Sequence, residues 1–208
     1  MARPPAILAP LARVLATDRG AVSVVVSTRD DGSFNLDHMS RAELEVSRRR
    51  LIDLPWTLLD ERHGTDVVRV ASPGEHDGAV ADAAVTELAD AVLGVWVGDC
   101  APVVLVADGG ELGVVHAGWR GLAAGVLTNA IDAFVGPPTR AMLGPVLRAC
   151  CNEFGATDII EVATSIGVDP DTVRSTTSWG TVSLDLASCV AHVLDGRGVE
   201  LDDLGICT

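Results

Sequence analysis

The chain has 208 residues, 48% hydrophobic and 21% charged, so a sizeable core is affordable and intrinsic disorder is disfavoured. Fifteen Lys and Arg stand against 29 Asp and Glu, a formal net charge of −14. With no basic excess to neutralise phosphates, nucleic acid and anionic membrane are not expected as general partners.

In chain order, residues 6–14 are mildly apolar but broken by Pro10 and Arg13. The run is too short to cross a bilayer and is not a convincing export signal, and no other segment reaches membrane length. A cytoplasmic protein is expected, folded as one domain over 1–208. The five cysteines, Cys100, Cys150, Cys151, Cys189 and Cys207, are odd in number and argue against a disulfide scaffold. Residues 22–28 read as a strand and Asp30-Asp31-Gly32 as a turn. Ser40-Arg41-Ala42-Glu43 has capping-box form and opens a helix to about Leu51, with Arg48-Arg49-Arg50 read as a solvated face. Pro55 ends that region, residues 67–70 form a strand, and residues 74–78 form a polar loop.

Three apolar runs follow, at 92–97, 102–107 and 112–115, each with the β-branched content and Gly, Asp or Pro borders of a buried strand. The first stops at Gly98-Asp99-Cys100 and the third at His116. If these strands lie side by side, Cys100 and His116 share a rim. A Gly-Trp-Arg-Gly turn leads into helical spacing over 122–135, and a helix start beside Arg120 is an anion site in principle. Pro137-Pro138 breaks the chain before a short strand at 140–143, and 158–166 and 184–194 look helical. Strands and helices mix without regular βαβ alternation, so an α+β mixed sandwich is expected.

His63, Cys100 and His116 each join or follow an apolar strand, and each is followed closely by a small residue. Two imidazoles and a thiolate make a three-ligand zinc set with a fourth position for water, whose pKa zinc lowers. The same residues also compose a Cys–His nucleophilic site. A buried core thiol flanked by hydrogen-bonded structural histidines is the third reading. Spacing alone leaves all three open. Asp99 is placed to orient a ligating imidazole or to close a turn. Arg120 is the candidate for holding phosphate, and Trp119 either walls a pocket or packs. Cys150-Cys151, with no spacer, is not a zinc-ribbon pair and is read as core or pocket wall. His192 reads as structural, and His38 and His76 show no partner pattern.

These residues resemble the YfiH-like family, also called multicopper polyphenol oxidoreductase laccase-like or purine nucleoside phosphorylase-like proteins. The carrying stretches are His63-Gly64-Thr65-Asp66-Val67-Val68, Ala81-Asp82-Ala83, Gly98-Asp99-Cys100-Ala101-Pro102 and His116-Ala117-Gly118-Trp119-Arg120-Gly121. Weaker ones are Ser33-Phe34-Asn35-Leu36, the helix end at residues 48–51, Leu143-Gly144-Pro145, Cys150-Cys151 with Glu153, and Cys207-Thr208. The resemblance implies a mixed α/β sandwich with zinc on His63, Cys100 and His116. It implies phosphorolysis of adenosine, inosine and methylthioadenosine, with adenosine deamination alongside, so nucleoside and phosphate are the expected partners. The family is also linked to peptidoglycan editing, which keeps a Cys–His hydrolase or amidase in view, with Cys100 as nucleophile and His116 as base. A partner-binding protein derived from the enzyme is the third alternative. Five histidines, two of them in the constellation, suit one metal, zinc or adventitious copper, better than a coupled multicopper cluster. Glu61-Arg62 stand where the family usually has Gln-Val, and Val97-Gly98 where it has Thr-Ala. Family chains continue past the Cys-Thr pair into an aromatic, Arg-rich tail, whereas this sequence ends at Thr208.

Overall fold

A computed structural model describes residues 11–28, 31, 32, 34 and 39–208. Residues 6–10, Asp30, His38 and the Ser33, Asn35 and Leu36 positions of the resemblance lie outside the described residues.

The chain opens with an antiparallel hairpin of β1 (Leu11–Thr17) and β2 (Gly20–Val26), turned at Gly20 with φ +135°. The first strand lies partly in the run read only as a failed export signal, and the second begins and ends two residues before the expected 22–28. The predicted cap of α1 (Arg41–Leu51) is present: the Glu43 amide donates to Ser40 Oγ at 3.3 Å and the Ser40 amide to Glu43 Oε2 at 2.8 Å. The Arg48–Arg50 face is not uniformly solvated. Arg48 is buried and pairs with Asp77 at 2.9 Å, while Arg49 meets Glu45 on the exposed side.

The next strands are β3 (Trp56–Leu58), β4 (Val67–Val70), β5 (Ala83–Thr86), β6 (Val92–Gly94), β7 (Ala101–Val106) and β8 (Leu112–Ala117). Then come α2 (Trp119–Ala124), α3 (Val126–Asp132), β9 (Arg140–Leu143), α4 (Ala156–Ile166) and α5 (Pro170–Val173). The chain finishes with β10 (Arg174–Thr176), β11 (Val182–Leu184), α6 (Leu186–Asp195) and β12 (Glu200–Asp203). The main sheet has six strands in the order β12-β9-β7-β8-β5-β4, with parallel pairs at its two edges and antiparallel pairs between.

The structure departs from three of the expected elements. The 92–97 run forms a strand only over β6, and it pairs in parallel with β3, outside the main sheet. Cys100 therefore arrives from a loop. The single helix expected over 122–135 starts earlier, at Trp119, and is broken at Gly125, whose φ of +99° closes α2 with a left-handed cap. The helix expected from 184 begins at Leu186, capped by Asp185 Oδ1 accepting from the Ser188 amide, because Leu184 belongs to β11.

Strand alternation sorts the sheet into two faces. Ala83, Val85, Val103, Leu105, Val115, Ala141 and Leu143 join Leu122, Val126, Leu127, Ile159, Val162, Val190 and Leu194 of the helices in the main core. Their alternates point the other way: Val104, Val114 and Met142 line a cavity of about 1220 Å³, walled opposite by residues of β2, β3 and β6. The result is the expected mixed α/β sandwich. Among the described residues no helix is long and apolar enough to cross a membrane.

Candidate metal centre

β7 and β8 pair Pro102 with His116. With a side-chain period of two, His116 faces the cavity with Val114, and Cys100, two residues before Pro102, starts on the same face. His63 comes from the loop between β3 and β4 and sits at φ +59°, a left-handed conformation uncommon for a residue with a Cβ. Asp82, just before β5, holds it there. Its Oδ1 accepts the His63 amide at 2.8 Å, and its Oδ2 accepts those of Gly64 and Arg62 at 2.7 and 3.2 Å.

These placements bring the three predicted residues together. Cys100 Sγ lies 3.6 Å from His63 Nε2, and the two imidazole rings stand 4.9 Å apart at 72°. One ligand atom from each of His63, Cys100 and His116 falls within 4.8 Å of the others. The glycines between them are packing requirements. A Cβ on Gly118 would meet His63 Cδ2 at 2.5 Å and Cys100 Sγ at 3.0 Å, and one on Gly121 would meet the Gly64 carbonyl at 3.0 Å.

The carboxylate that touches an imidazole is Asp82, which sequence reasoning had not assigned. Its Oδ1 lies 2.9 Å from His116 Nδ1, with both side chains buried. A proton on Nδ1 satisfies that contact and leaves the Nε2 lone pair free to ligate, the arrangement usual for a metal-ligating histidine. Asp99 makes no side-chain hydrogen bond or ion pair among the described residues, and its backbone carbonyl accepts from the Leu147 amide at 3.0 Å. Burial works to raise the Asp82 pKa, but bonds from His116, Gly64, Arg62 and His63 outweigh it and hold the carboxyl below its usual range. Burial lowers the His116 pKa against the opposing pull of Asp82, which keeps the ring neutral. Burial, then Asp99, Asp82 and Glu61, push the Cys100 thiol up. The surroundings thus favour a cation beside the sulfur. Two imidazoles and a thiol at these separations, ringed by carboxylates, fit one borderline-soft ion.

Arg120 is exposed and lies over the Trp119 ring at 4.1 Å, and that ring meets Phe154 edge-on at 5.3 Å. Trp119 packs against the main core rather than lining the large cavity. The helix beside Arg120 is only the six residues of α2, too short for the anion site expected of a long one. His63, His116 and Glu61 do line the cavity, as do Trp56 and Trp96. Glu61 Oε1 accepts the Trp96 amide at 2.7 Å, and burial pushes its carboxyl up to about 7. Cys150 and Cys151 are not core: Cys150 is exposed, Cys151 half-buried, and their sulfurs converge with that of Cys207.

Residues 18–208 match the family described as multi-copper polyphenol oxidoreductase laccase. A purine nucleoside phosphorylase of Xylella fastidiosa (strain 9a5c) is 40% identical over 162 residues, covering 68% of this chain and 61% of that protein. The purine nucleoside phosphorylase YfiH of Escherichia coli (strain K12) is 36% identical over 132 residues, covering 58% of this chain and 51% of that protein. The matches thus span between 51% and 61% of the length of these two relatives. Among solved structures, protein NMB0706 of Neisseria meningitidis, assigned to the family DUF152, has a TM-score of 0.79 at 27% identity, covering 95% of this chain and 88% of that one. YlmD from Geobacillus stearothermophilus shares the fold at TM-score 0.67 and 24% identity, covering 81% of this chain and 71% of its own. With the motifs, the fold and a match across nearly the whole sequence in agreement, the chain belongs to the YfiH-like, multi-copper polyphenol oxidoreductase laccase family.

Proposed function

We propose that the chain is a zinc-dependent enzyme of purine nucleosides, cleaving adenosine, inosine and methylthioadenosine with phosphate and deaminating adenosine as a side reaction. The observation that carries this reading is the convergence of His63, Cys100 and His116, with Asp82 fixing the His116 tautomer. The names of the relatives support the substrate class. When bound, zinc supplies Lewis-acid chemistry at the rim of the cavity. The protein's own part is geometric. Asp82 turns the free nitrogen of His116 inward and pins the His63 backbone, while Gly118 lets the strand-to-helix turn come close enough for all three ligands to converge. The apolar walls around Trp56, Val104, Val114 and Met142 offer a surface for a flat ring, and the exposed Arg120 guanidinium is the cation assigned to phosphate.

Metal analysis of the purified 208-residue chain, paired with adenosine turnover with and without phosphate, tests this. About one zinc per chain with phosphate-dependent release of adenine supports it. Copper in place of zinc overturns the metal assignment, and zinc without turnover overturns the activity. The 3.6 Å contact of Cys100 with His63 keeps a Cys–His hydrolase as the second reading, with His63 rather than the Asp82-bound His116 beside the thiol. A metal-free protein whose Cys100 alkylates rapidly at neutral pH selects that reading.

A further inference from the structure

Away from the cavity rim, three more sulfurs meet. Cys150 and Cys151 lie in a turn after β9, and Cys207 follows β12. Cys150 Sγ is 3.3 Å from Cys151 Sγ and 3.8 Å from Cys207 Sγ, and the three atoms all lie within 4.8 Å of one another. The convergence is imposed by backbone bonds that do not use the sulfurs. The Cys151 and Asn152 amides donate to the Arg148 carbonyl at 2.8 and 3.0 Å, which shapes the turn. The Cys150 carbonyl accepts the Ser178 amide at 2.8 Å and its hydroxyl at 3.1 Å. Cys207 forms a parallel bridge with Val146, supported by Val146 N–H to the Ile206 carbonyl at 3.2 Å and Thr208 N–H to the Val146 carbonyl at 3.3 Å. Arg148 straps the two segments together, reaching the Asp203 carboxylate with both terminal nitrogens and the Ile206 carbonyl with Nε at 3.3 Å.

Three ligand atoms around one ion have a required spacing. At a metal–sulfur distance of about 2.3 Å, sulfurs sit roughly 3.8 Å apart in a tetrahedral arrangement and roughly 4.0 Å apart in a trigonal one. Of the two separations, 3.8 Å matches the tetrahedral spacing and 3.3 Å lies slightly inside it, so no further closure is needed. A disulfide accounts for the cluster less well. It needs an S–S length near 2.05 Å, and whichever pair formed it, the third thiol would be left over. Cys150 and Cys207 are exposed and Cys151 half-buried, so an ion can reach them from solvent.

We propose that Cys150, Cys151 and Cys207 form a second metal site, distinct from His63, Cys100 and His116, that takes a thiophilic d10 cation, Cu(I) or Zn(II), through three thiolates. All-thiolate donors suit ions softer than a mixed imidazole and thiolate set requires. Binding releases the thiol protons to solvent, with no change in the oxidation state of the sulfur.

The test uses the full chain, reduced and stripped of metal under inert gas, then titrated in parallel with Cu(I) against a chromogenic chelator and with Zn(II) against a competing dye. Each titration is repeated on Cys150→Ser, Cys151→Ser, Cys207→Ser and Cys100→Ala. Serine is close to isosteric at these positions, and circular dichroism checks the fold. The expected result is two tight equivalents in the parent chain for at least one of the two ions. The serine variants lose one equivalent and keep the other, and Cys100→Ala loses the complementary one. The ion that titrates the equivalent surviving in Cys100→Ala names the occupant. Unchanged stoichiometry in all three serine variants overturns the proposal. So does reduced Cys100→Ala that binds neither ion.

Discussion

Replacing Asp82 by asparagine removes one oxygen acceptor from a carboxylate that serves four donors. Oδ1 takes the His116 ring and the His63 amide, and Oδ2 takes the Gly64 and Arg62 amides. The variant's amide NH2 must face one of these pairs. Facing Gly64 and Arg62, it strands two amides and opposes donor to donor. Facing His116, it forces Nδ1 to accept, which moves the ring proton to Nε2 and removes a metal ligand. Two part-buried donors losing their acceptor cost, against about 1–3 kcal/mol each for fully buried ones, roughly 3 kcal/mol together once their partial exposure is discounted. For a domain of this size that lowers Tm by about 6–12 °C. Loss of the partner that orients a ligand weakens metal binding about 10–100-fold. Thermal unfolding of metal-free Asp82→Asn and competition titration with a zinc dye read the two effects separately. Parental zinc affinity in a destabilised variant would mean that the NH2 faces Gly64 and Arg62 and leaves the His116 tautomer in place, whereas parental Tm would refute the role of Asp82 as the clasp of the His63 loop.

Gly118→Ala is compatible with its backbone, at φ −67°, so its effect comes from the 2.5 Å approach to His63. The expected outcome is loss of bound zinc with a near-parental far-UV spectrum, and full zinc occupancy contradicts it. Glu61 has a folded pKa of about 7 against an ordinary 4.5, so in metal-free protein its contribution to stability is full below pH 4.5 and is lost as pH rises through 7. Glu61→Gln keeps an acceptor for the Trp96 amide and removes that loss. Urea midpoints should show the variant more stable at pH 8 by about 1 kcal/mol, discounted because the carboxyl is only partly buried. A less stable variant at pH 8 sinks the idea. Asp82 acts in the opposite sense. Its folded pKa lies below 3.8, so its contribution is present above that value and is lost as pH falls through the folded pKa, a loss that Asp82→Asn should not show in acid titration. Asp77→Ala leaves buried Arg48 without its partner and should cost about 2 kcal/mol by urea denaturation, below the range for a fully buried pair because Asp77 is 35% exposed.

The candidate ligands His63, Cys100 and His116 were legible because they stand at breaks in apolar runs, where side chains leave a sheet. The capping box at Ser40 and Glu43 and the strand cores of β7, β8 and β9 were legible for local reasons of spacing and β-branching. Asp82 was not, since nothing in Ala81-Asp82-Ala83 reveals that its partners lie 18 to 34 positions away in sequence. The departure of β6 from the main sheet is likewise a tertiary outcome, as Val92–Gly94 has the same composition either way. Gly125 inside helical spacing could be tolerated or could end a turn, and only its φ decides. The edge strand β12, with Glu200, Asp202 and Asp203, lacks a hydrophobic alternation to detect, while its acidic side chains discourage pairing with another chain. The thiol cluster was hidden by the 57-position separation of Cys150 and Cys207.

The clasp made by Asp82 also bears on the order in which the molecule assembles. Its carboxylate joins the 62–64 loop to β8 across 18 to 34 residues, and Cys100 reaches His63 across 37. Contacts of that span carry a loop-closure cost and need β5 and β8 already paired. The proposed ligand set is therefore expected to be completed late in folding. A metal bound at the proposed site would slow unfolding while leaving the refolding rate nearly unchanged, a kinetic latch rather than a template, and rates measured with and without zinc would check this.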